Sequence, residues 1–302
     1  MYDIIIVGGG PAGLTAAIYG LRAGKSVLVI EKNGFGGQIA YSPKVENIPG
    51  TQLISGSEFA DKLTEQAMAL GAEVELENVI RVDAAGQIKT VYTEEGGQYE
   101  EKTLILAVGV KHRMLGLPGE EDLVGKGLSF CAVCDGAFYA GQKTVMIGGG
   151  NSALQEALLL SEVCSKVTVV QNLALFTGEK KLADALTAKD NVEVFFSTVV
   201  EQYLSEDGNL TGLQVRNTET GETRTIEADG AFLAVGLVPE NQAFAEVAEL
   251  DERGYFDAGE ECTTKTAGVF VAGDCRRKMI RQVTTAAGDG AVAAMAACRY
   301  LD

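Results

Sequence analysis

Apolar runs in this chain alternate with helical stretches on one plan, used twice. Residues 3–7 are largely β-branched and read as a strand buried on both faces of a parallel sheet. Gly8-Gly9-Gly10-Pro11-Ala12-Gly13 breaks the run. An apolar stretch at helical spacing follows from about Ala12 to Ala23, and a second β-branched run, Ser26 to Ile30, ends in Glu31. The same order returns about 140 residues later: a strand from Thr144 to Ile147, the cluster Gly148-Gly149-Gly150-Asn151-Ser152-Ala153, a helix to about Val163 and a strand from Val167 to Val170. After each copy come short alternating segments with turn signals, in residues 73–101 and 192–227, which read as small antiparallel meanders. Each copy then closes on an apolar strand ending in glycine, at Gly109 and at Gly236.

A helix is expected from about Ser57 to Leu70. Leu117-Pro118-Gly119 followed by Glu120-Glu121-Asp122 reads as a linker. After Pro239 the chain returns to its first unit, with a short strand at Val269 to Val271 and a last helix from about Gln282 to Arg299. The expected fold class is α/β: two Rossmann-like dinucleotide-binding domains of the three-layer ββα kind, the second inserted into the first. The boundaries are 1–113 with 241–302, and 114–240.

Strand, glycine turn, helix, strand and acid together form a dinucleotide fingerprint in its proper setting. Gly8 permits the tight turn, and Gly10 lets a pyrophosphate reach the helix N-terminus, where free N–H groups favour negative charge. Gly13 lets helix and strand pack closely, and Glu31 can accept hydrogen bonds from a ribose diol. Gly148, Gly150, Asn151 and Ser152 begin a second nucleotide site. There the position matching Glu31 falls on Gln171, which is neither an acid for a free 2′-hydroxyl nor a cation for a 2′-phosphate.

Composition narrows the partners. With 42 acidic and 25 basic side chains the net charge is −17, which argues against nucleic acid or an anionic membrane surface. No apolar stretch suits a membrane span, and Gly8-Gly9-Gly10-Pro11 breaks the N-terminal apolar run before it can serve as a signal peptide. The expected setting is the cytoplasm, where six cysteines do not imply a structural disulfide framework.

Cys131-Ala132-Val133-Cys134-Asp135-Gly136 carries the candidate chemistry. A CxxC is a redox pair or half of a metal site. With one His and no second CxxC, the redox reading is favoured over zinc. A carboxylate cannot lower a thiol pKa by its charge, so Asp135 suits proton transfer to a leaving thiol. His112 reads as a solvated hinge residue. Cys164, Cys262, Cys275 and Cys298 read as small packing residues, with a redox role as the alternative for Cys275 beside Asp274.

GGGPAG at 8–13, GGQ at 36–38, CAVCDG at 131–136, GGGNSA at 148–153 and AGDCRRKMIRQ at 272–282 give the chain, over essentially its whole length, a sequence that resembles the low-molecular-weight, bacterial-type thioredoxin reductases. The resemblance implies a homodimer with FAD in the first domain. Gly8, Gly10, Gly13 and Glu31 would hold its adenosine and pyrophosphate, with Gly37, Gln38, Asn47 and Gly109 along it. Asp274 would bind the ribityl chain, and Arg281, Gln282 and Val283 would neighbour the isoalloxazine. Cys134 would face the flavin, Cys131 would attack the partner disulfide, and Asp135 would be the acid–base group. Thioredoxin or a similar disulfide protein would be the partner.

The sequence departs from that family at the second nucleotide site. NADPH users of the family carry HRRxxxR where this chain reads Gln171-Asn172-Leu173-Ala174-Leu175-Phe176-Thr177, with Leu173 and Phe176 placing apolar surface where a phosphate would sit. A donor other than NADPH is therefore expected, either NADH or reduced ferredoxin, as in the family branch that lacks the NADPH motif. In the second case the site is a relic, and Arg276-Arg277-Lys278 could dock an acidic carrier. The alternatives are NADPH held by Lys180 or Lys181, a reductase of another disulfide protein or a dithiol oxidase, and a flavoprotein acting as an electron-transfer or redox-sensing module.

Overall fold

The computed structural model describes residues 1–42 and 45–302. It opens with β1 (Tyr2–Val7), α1 (Pro11–Arg22), β2 (Val27–Glu31), α2 (Gly56–Ala69), β3 (Glu73–Leu76), β4 (Val79–Asp83), β5 (Lys89–Thr93) and β6 (Gln98–Leu106). A short strand β7 (Lys111–His112) leads to β8 (Leu128–Ser129), a one-turn helix α3 (Ala132–Asp135), β9 (Lys143–Ile147), α4 (Asn151–Val163), β10 (Lys166–Val170), α5 (Lys180–Thr187) and β11 (Val192–Phe195). Then come β12 (Thr198–Glu206), β13 (Asn209–Asn217), β14 (Thr223–Glu227), β15 (Gly230–Leu233), β16 (Leu237–Val238), β17 (Val269–Val271) and α6 (Val283–Leu301).

Two compact units result. Of the described residues, one comprises 1–42, 48–111 and 238–302, the other 45–47 and 112–237. The chain passes between them at β7 and β16, two or three residues earlier than expected from sequence at each crossing.

In the first unit the parallel strands run β3-β2-β1-β6, with β17 beside β6. β1 is buried on both faces, which is why its sequence shows no polar alternation. Ile4 and Ile6 pack with α1 and α6, while Ile5 and Val7 pack with the meander side. Each such side chain contributes roughly 1.5–3 kcal/mol on burial. Two sequence expectations change here. β3 is not part of the meander: it pairs parallel with β2, Leu28 opposite Glu73. β6 is one long strand shared by three ladders, antiparallel to β5 through Gln98–Glu101, parallel to β1 through Thr103–Leu106 and parallel to β17 through Leu104–Leu106.

The second unit has a parallel sheet β11-β10-β9-β15-β8 and a separate antiparallel sheet β12-β13-β14. Its fifth parallel strand, β8, comes before the βαβ unit, whereas the counterpart in the first unit, β17, comes near the end of the chain. The segment expected to be an acidic linker is structural. Glu120 is buried and accepts the N–H groups of Leu115, Gly116 and Leu117 and the hydroxyl of Tyr203. The Leu117-Pro118-Gly119 turn is thus pinned to its own unit, because a buried carboxylate needs that many donors.

Candidate active site

The two glycine loops have one geometry. Gly8 has φ +110°, and a Cβ there would lie 2.3 Å from the carbonyl oxygen of Ala107; Gly148 has φ +133°, and its Cβ would lie 2.5 Å from that of Ala234. Only glycine meets both demands. A Cβ on Gly13 would come 1.8 Å from the Gly8 carbonyl, so α1 starts in direct contact with the turn. Over Gly10 and Gly150 the nearest atoms to a Cβ are 3.9 Å away, which leaves room for a pyrophosphate at each helix start.

In the first loop, Glu31 accepts the N–H of Gly9 at 2.7 Å and that of Asn33 at 3.0 Å. A carboxylate has lone pairs to spare beyond these two, so it remains available to a ribose diol. Gly36 donates to the Gly9 carbonyl, which sets Gly37 against Gly10, and the Gln38 amide donates to the Val110 carbonyl at 2.8 Å. Gly109 closes this rim at a positive φ with open space where a side chain would be.

Asp274 follows β17 on the same unit. Its Oδ1 is buried and has no hydrogen-bond partner, with the Lys278 ammonium 4.0 Å away. Burial pushes its pKa up to about 6, against the pull of Lys278 and Arg281. An orphaned buried acceptor is costly, and the hydroxyls of a ribityl chain would supply the donor it lacks. Arg281 donates to the Asp274 carbonyl at 3.2 Å and lies over the Tyr255 ring. Gln282 caps α6 in a capping box with Thr285, and Val283 is its first residue. Glycine loop, Glu31, Gly37, Gln38 and Asp274 fit FAD.

The basic run Arg276-Arg277-Lys278 is not a docking patch. Arg276 is buried in a bidentate pair with Asp289, and Lys278 donates to the same carboxylate at 2.9 Å. Only Arg277 faces outward, paired with Asp257 at 2.9 Å. Asp289 also accepts the Gly273 N–H at 3.0 Å. The sequence showed this acid only as an interruption in an alanine-rich tail; a lone carboxylate on an otherwise apolar helix was the signal.

In the second unit, Cys131 and Cys134 form a disulfide. Cys131 caps α3, its sulfur accepting the Cys134 N–H at 3.2 Å. Both residues are half-buried. Asp135, in the same turn, is buried. Its Oδ2 accepts the Ser129 hydroxyl at 2.5 Å, and its Oδ1 has no partner. Burial raises its pKa, and the Ser129 bond only partly offsets this. Ser129 also accepts the Cys131 N–H at 3.2 Å. Glu156, on α4, accepts the Ala132 N–H at 2.9 Å. Sequence reasoning missed both of these supports; Glu156 stands on the helix stripe of Ala153, Ala157 and Leu160, where an acid is out of place.

His112 is not a solvated residue. Its ring stacks on Phe130 at 4.4 Å, and burial lowers its pKa to about 4, so it is neutral near pH 7. Cys164, Cys262, Cys275 and Cys298 are buried and unpaired. Burial pushes Cys275 up to about 12, which removes the thiolate that redox chemistry needs.

At the second glycine loop, Gln171 is buried against Gly149, and its amide donates to the Leu175 carbonyl at 3.0 Å. Asn151 is tied to Glu179 through the Glu179 N–H at 2.6 Å, while Ser152 is exposed at the start of α4. The apolar side chains presented to solvent are Leu173 and Leu175. Phe176, expected to do so, turns inward in an edge contact with Phe196. Lys180 is engaged by Asp184 at 2.7 Å. Among the described residues no helix is long and apolar enough to cross a membrane.

Paired dinucleotide folds with a CxxC disulfide between their glycine loops in sequence define an oxidoreductase of the nucleotide-dependent disulfide type. Residues 2–290 match the family model described as pyridine nucleotide-disulphide oxidoreductase, and the chain belongs to that family. Its similar relatives include the thioredoxin reductase of Bacillus subtilis (strain 168), 37% identical over 302 residues, covering 100% of this chain and 95% of the relative. Another is a 34.2 kDa protein in a rubredoxin operon of Clostridium pasteurianum, 38% identical over 99% of this chain and 97% of its own length. Among solved structures, the thioredoxin reductase of Streptococcus pyogenes MGAS5005 superposes with a TM-score of 0.93 at 38% identity, covering 100% of this chain and 98% of that one.

Proposed function

We propose that this protein is an FAD-dependent reductase of a protein disulfide, thioredoxin or a similar carrier, acting through Cys131 and Cys134. The observation that carries the reading is the half-buried disulfide capping a one-turn helix that also holds the buried carboxyl of Asp135. When bound, FAD supplies two-electron transfer to the disulfide. Once the pair is reduced, the Cys131 thiolate attacks the partner's S–S bond. The Cys134 N–H on its sulfur favours that thiolate. Asp135 gives its proton to the leaving partner sulfur. Cys134 then loses a proton to Asp135 and attacks Cys131, which restores the disulfide and frees the second partner sulfur as a thiolate that takes its proton from solvent. The dithiol argues against a pure electron-transfer or sensing module.

The donor proposed for the second glycine loop is NADH rather than NADPH. Its turn and helix start match the first loop, while of the two lysines that could reach a 2′-phosphate Lys180 is paired with Asp184 and Lys181 is exposed, and the position matching Glu31 holds the uncharged Gln171, whose amide donates to the Leu175 carbonyl. Direct reduction of the flavin by reduced ferredoxin is the second reading, supported by the absence of a ribose-binding acid at Gln171. A cytoplasmic homodimer is the proposed form, on the resemblance alone. The test is anaerobic mixing of the yellow protein with NADH, NADPH or reduced ferredoxin, followed by oxidised thioredoxin. NADH bleaching, then colour recovery on adding thioredoxin, is expected. Rapid bleaching by NADPH overturns the donor reading, and failure of thioredoxin to restore colour overturns the function.

A further inference from the structure

The dithiol turn is held from two sides, and one of the holding groups is ionisable. The Cys131 N–H goes to Ser129 and the Ala132 N–H to Glu156. Glu156 thus binds the start of the same one-turn helix whose Cys134 N–H caps the Cys131 sulfur. An anion on the Ala132 N–H stands at the residue next to Cys131, and its like charge opposes a thiolate there. We propose that Glu156 is a positioning and proton-holding residue of the dithiol: it fixes the Ala132 N–H, and it carries a proton while Cys131 is a thiolate.

The surroundings support a carboxyl that changes state near neutrality. Burial pushes Glu156 up to about 7, against the Ala132 hydrogen bond and with a further push from Asp135. The turn that packs on α4 contributes Cys131, Cys134, Asp135 and Tyr139, and burial keeps Tyr139 neutral by raising it to about 12. The other charges on elements against α4 are committed elsewhere or exposed. Lys180 pairs with Asp184, Lys143 with Glu227 and Lys166 with Glu193, Lys189 pairs with Glu162 on α4 itself, and Lys181 is solvent-exposed. Among the described residues no cation pairs with Glu156, and loss of its charge is the available relief when a thiolate forms in the turn it holds.

The balance is as follows for a small dithiol reductant such as dithiothreitol, which supplies two electrons and two protons. The Cys131–Cys134 bond breaks and dithiothreitol closes to its cyclic disulfide. One proton stays on Cys134. The second goes to Glu156 rather than to Cys131, so the site keeps its net charge while the nucleophile stays ionised. Without an ionisable group at 156 that second proton leaves to solvent.

The inference rests on the dithiol being the redox pair, and the two can fail separately. The test is Glu156→Gln, which keeps an acceptor for the Ala132 N–H and removes the charge, with Glu156→Asp as the conservative partner. Both proteins and the wild type are reduced with dithiothreitol, and the rate of iodoacetamide labelling of Cys131 is followed against pH. Absence of any dithiothreitol-dependent labelling in the wild type refutes the dithiol reading itself. With labelling present, the expected result is that Glu156→Gln moves the profile to lower pH, with a thiolate fraction around pH 7 greater by up to about twofold, and that it releases more protons into weak buffer on reduction. Glu156→Asp keeps the wild-type profile. Coincident profiles and equal proton release in wild type and Glu156→Gln overturn the proposal. If the variant does not fold, proton release by the wild type decides alone: a full proton per site at pH 6.5, with labelling showing the thiolate, leaves Glu156 no proton to hold.

Discussion

Arg276 and Asp289 meet as a buried bidentate pair, Nε to Oδ2 at 2.8 Å and Nη2 to Oδ1 at 2.7 Å. With Lys278 and the Gly273 N–H on the same carboxylate, four donors converge on one residue of α6. They clamp the loop that carries Asp274. A run of basic residues that suggests a docking surface in sequence is instead the internal fastening of the cofactor loop.

Asp289→Asn leaves two buried cations without their anion, and breaking such a pair costs about 3–5 kcal/mol. The expected outcome is a lower melting temperature and faster release of flavin. Burial raises the Asp289 carboxyl, but Arg276 and Lys278 outweigh it and hold the group below its ordinary value. Its contribution is therefore full above the unfolded-state pKa and lost as pH falls through the depressed folded value. Melting curves of wild type and variant, taken down a pH series, should differ undiminished at neutrality and converge only in acid.

Asp135→Asn should lower turnover of the disulfide partner by about 10²–10⁴-fold, the usual worth of a positioned acid–base group, without loss of stability. Burial raises the Asp135 pKa, so between its unfolded and folded values the native state binds more protons and stability falls as pH rises. The neutral amide escapes that cost and still accepts the Ser129 hydroxyl. Turnover and chemical denaturation measured at pH 7 check both halves. A variant that is inactive because it is unfolded contradicts the role.

Gln171→Glu restores at the second loop the acid that Glu31 provides at the first, where it accepts the N–H of the middle glycine. If the second loop binds NADH through its ribose, the Michaelis constant for NADH should fall several-fold with little change in kcat, a gain in the range of one charge-assisted hydrogen bond. No change would mean that the loop does not take the donor, and would favour direct reduction of the flavin.

Much of this was legible in sequence because it is set locally. Glycine turns at Gly8 and Gly148, their flanking strands and the CxxC–Asp run depend on near neighbours. What was not legible depends on long-range packing. β3 leaves the meander because its backbone pairs with β2, and nothing in Glu73–Leu76 marks that choice. Glu120 and Lys278 are ordinary surface types until partners distant in sequence bury them, Tyr203 for one and Asp289 for the other. Phe176, expected to present apolar surface, turns inward because the Phe196 ring offers an aromatic contact. Glu156 reaches Ala132 across 24 residues, a contact visible only once α3 lies against α4.

The central claim is that electrons leave through the Cys131–Cys134 pair. Replacing Cys134 by Ser should leave the flavin reducible by its donor, abolish turnover of oxidised thioredoxin, and trap a covalent adduct of Cys131 with a thioredoxin cysteine, seen as a shift on a non-reducing gel that dithiothreitol reverses. Retained thioredoxin turnover in Cys134→Ser would contradict the account.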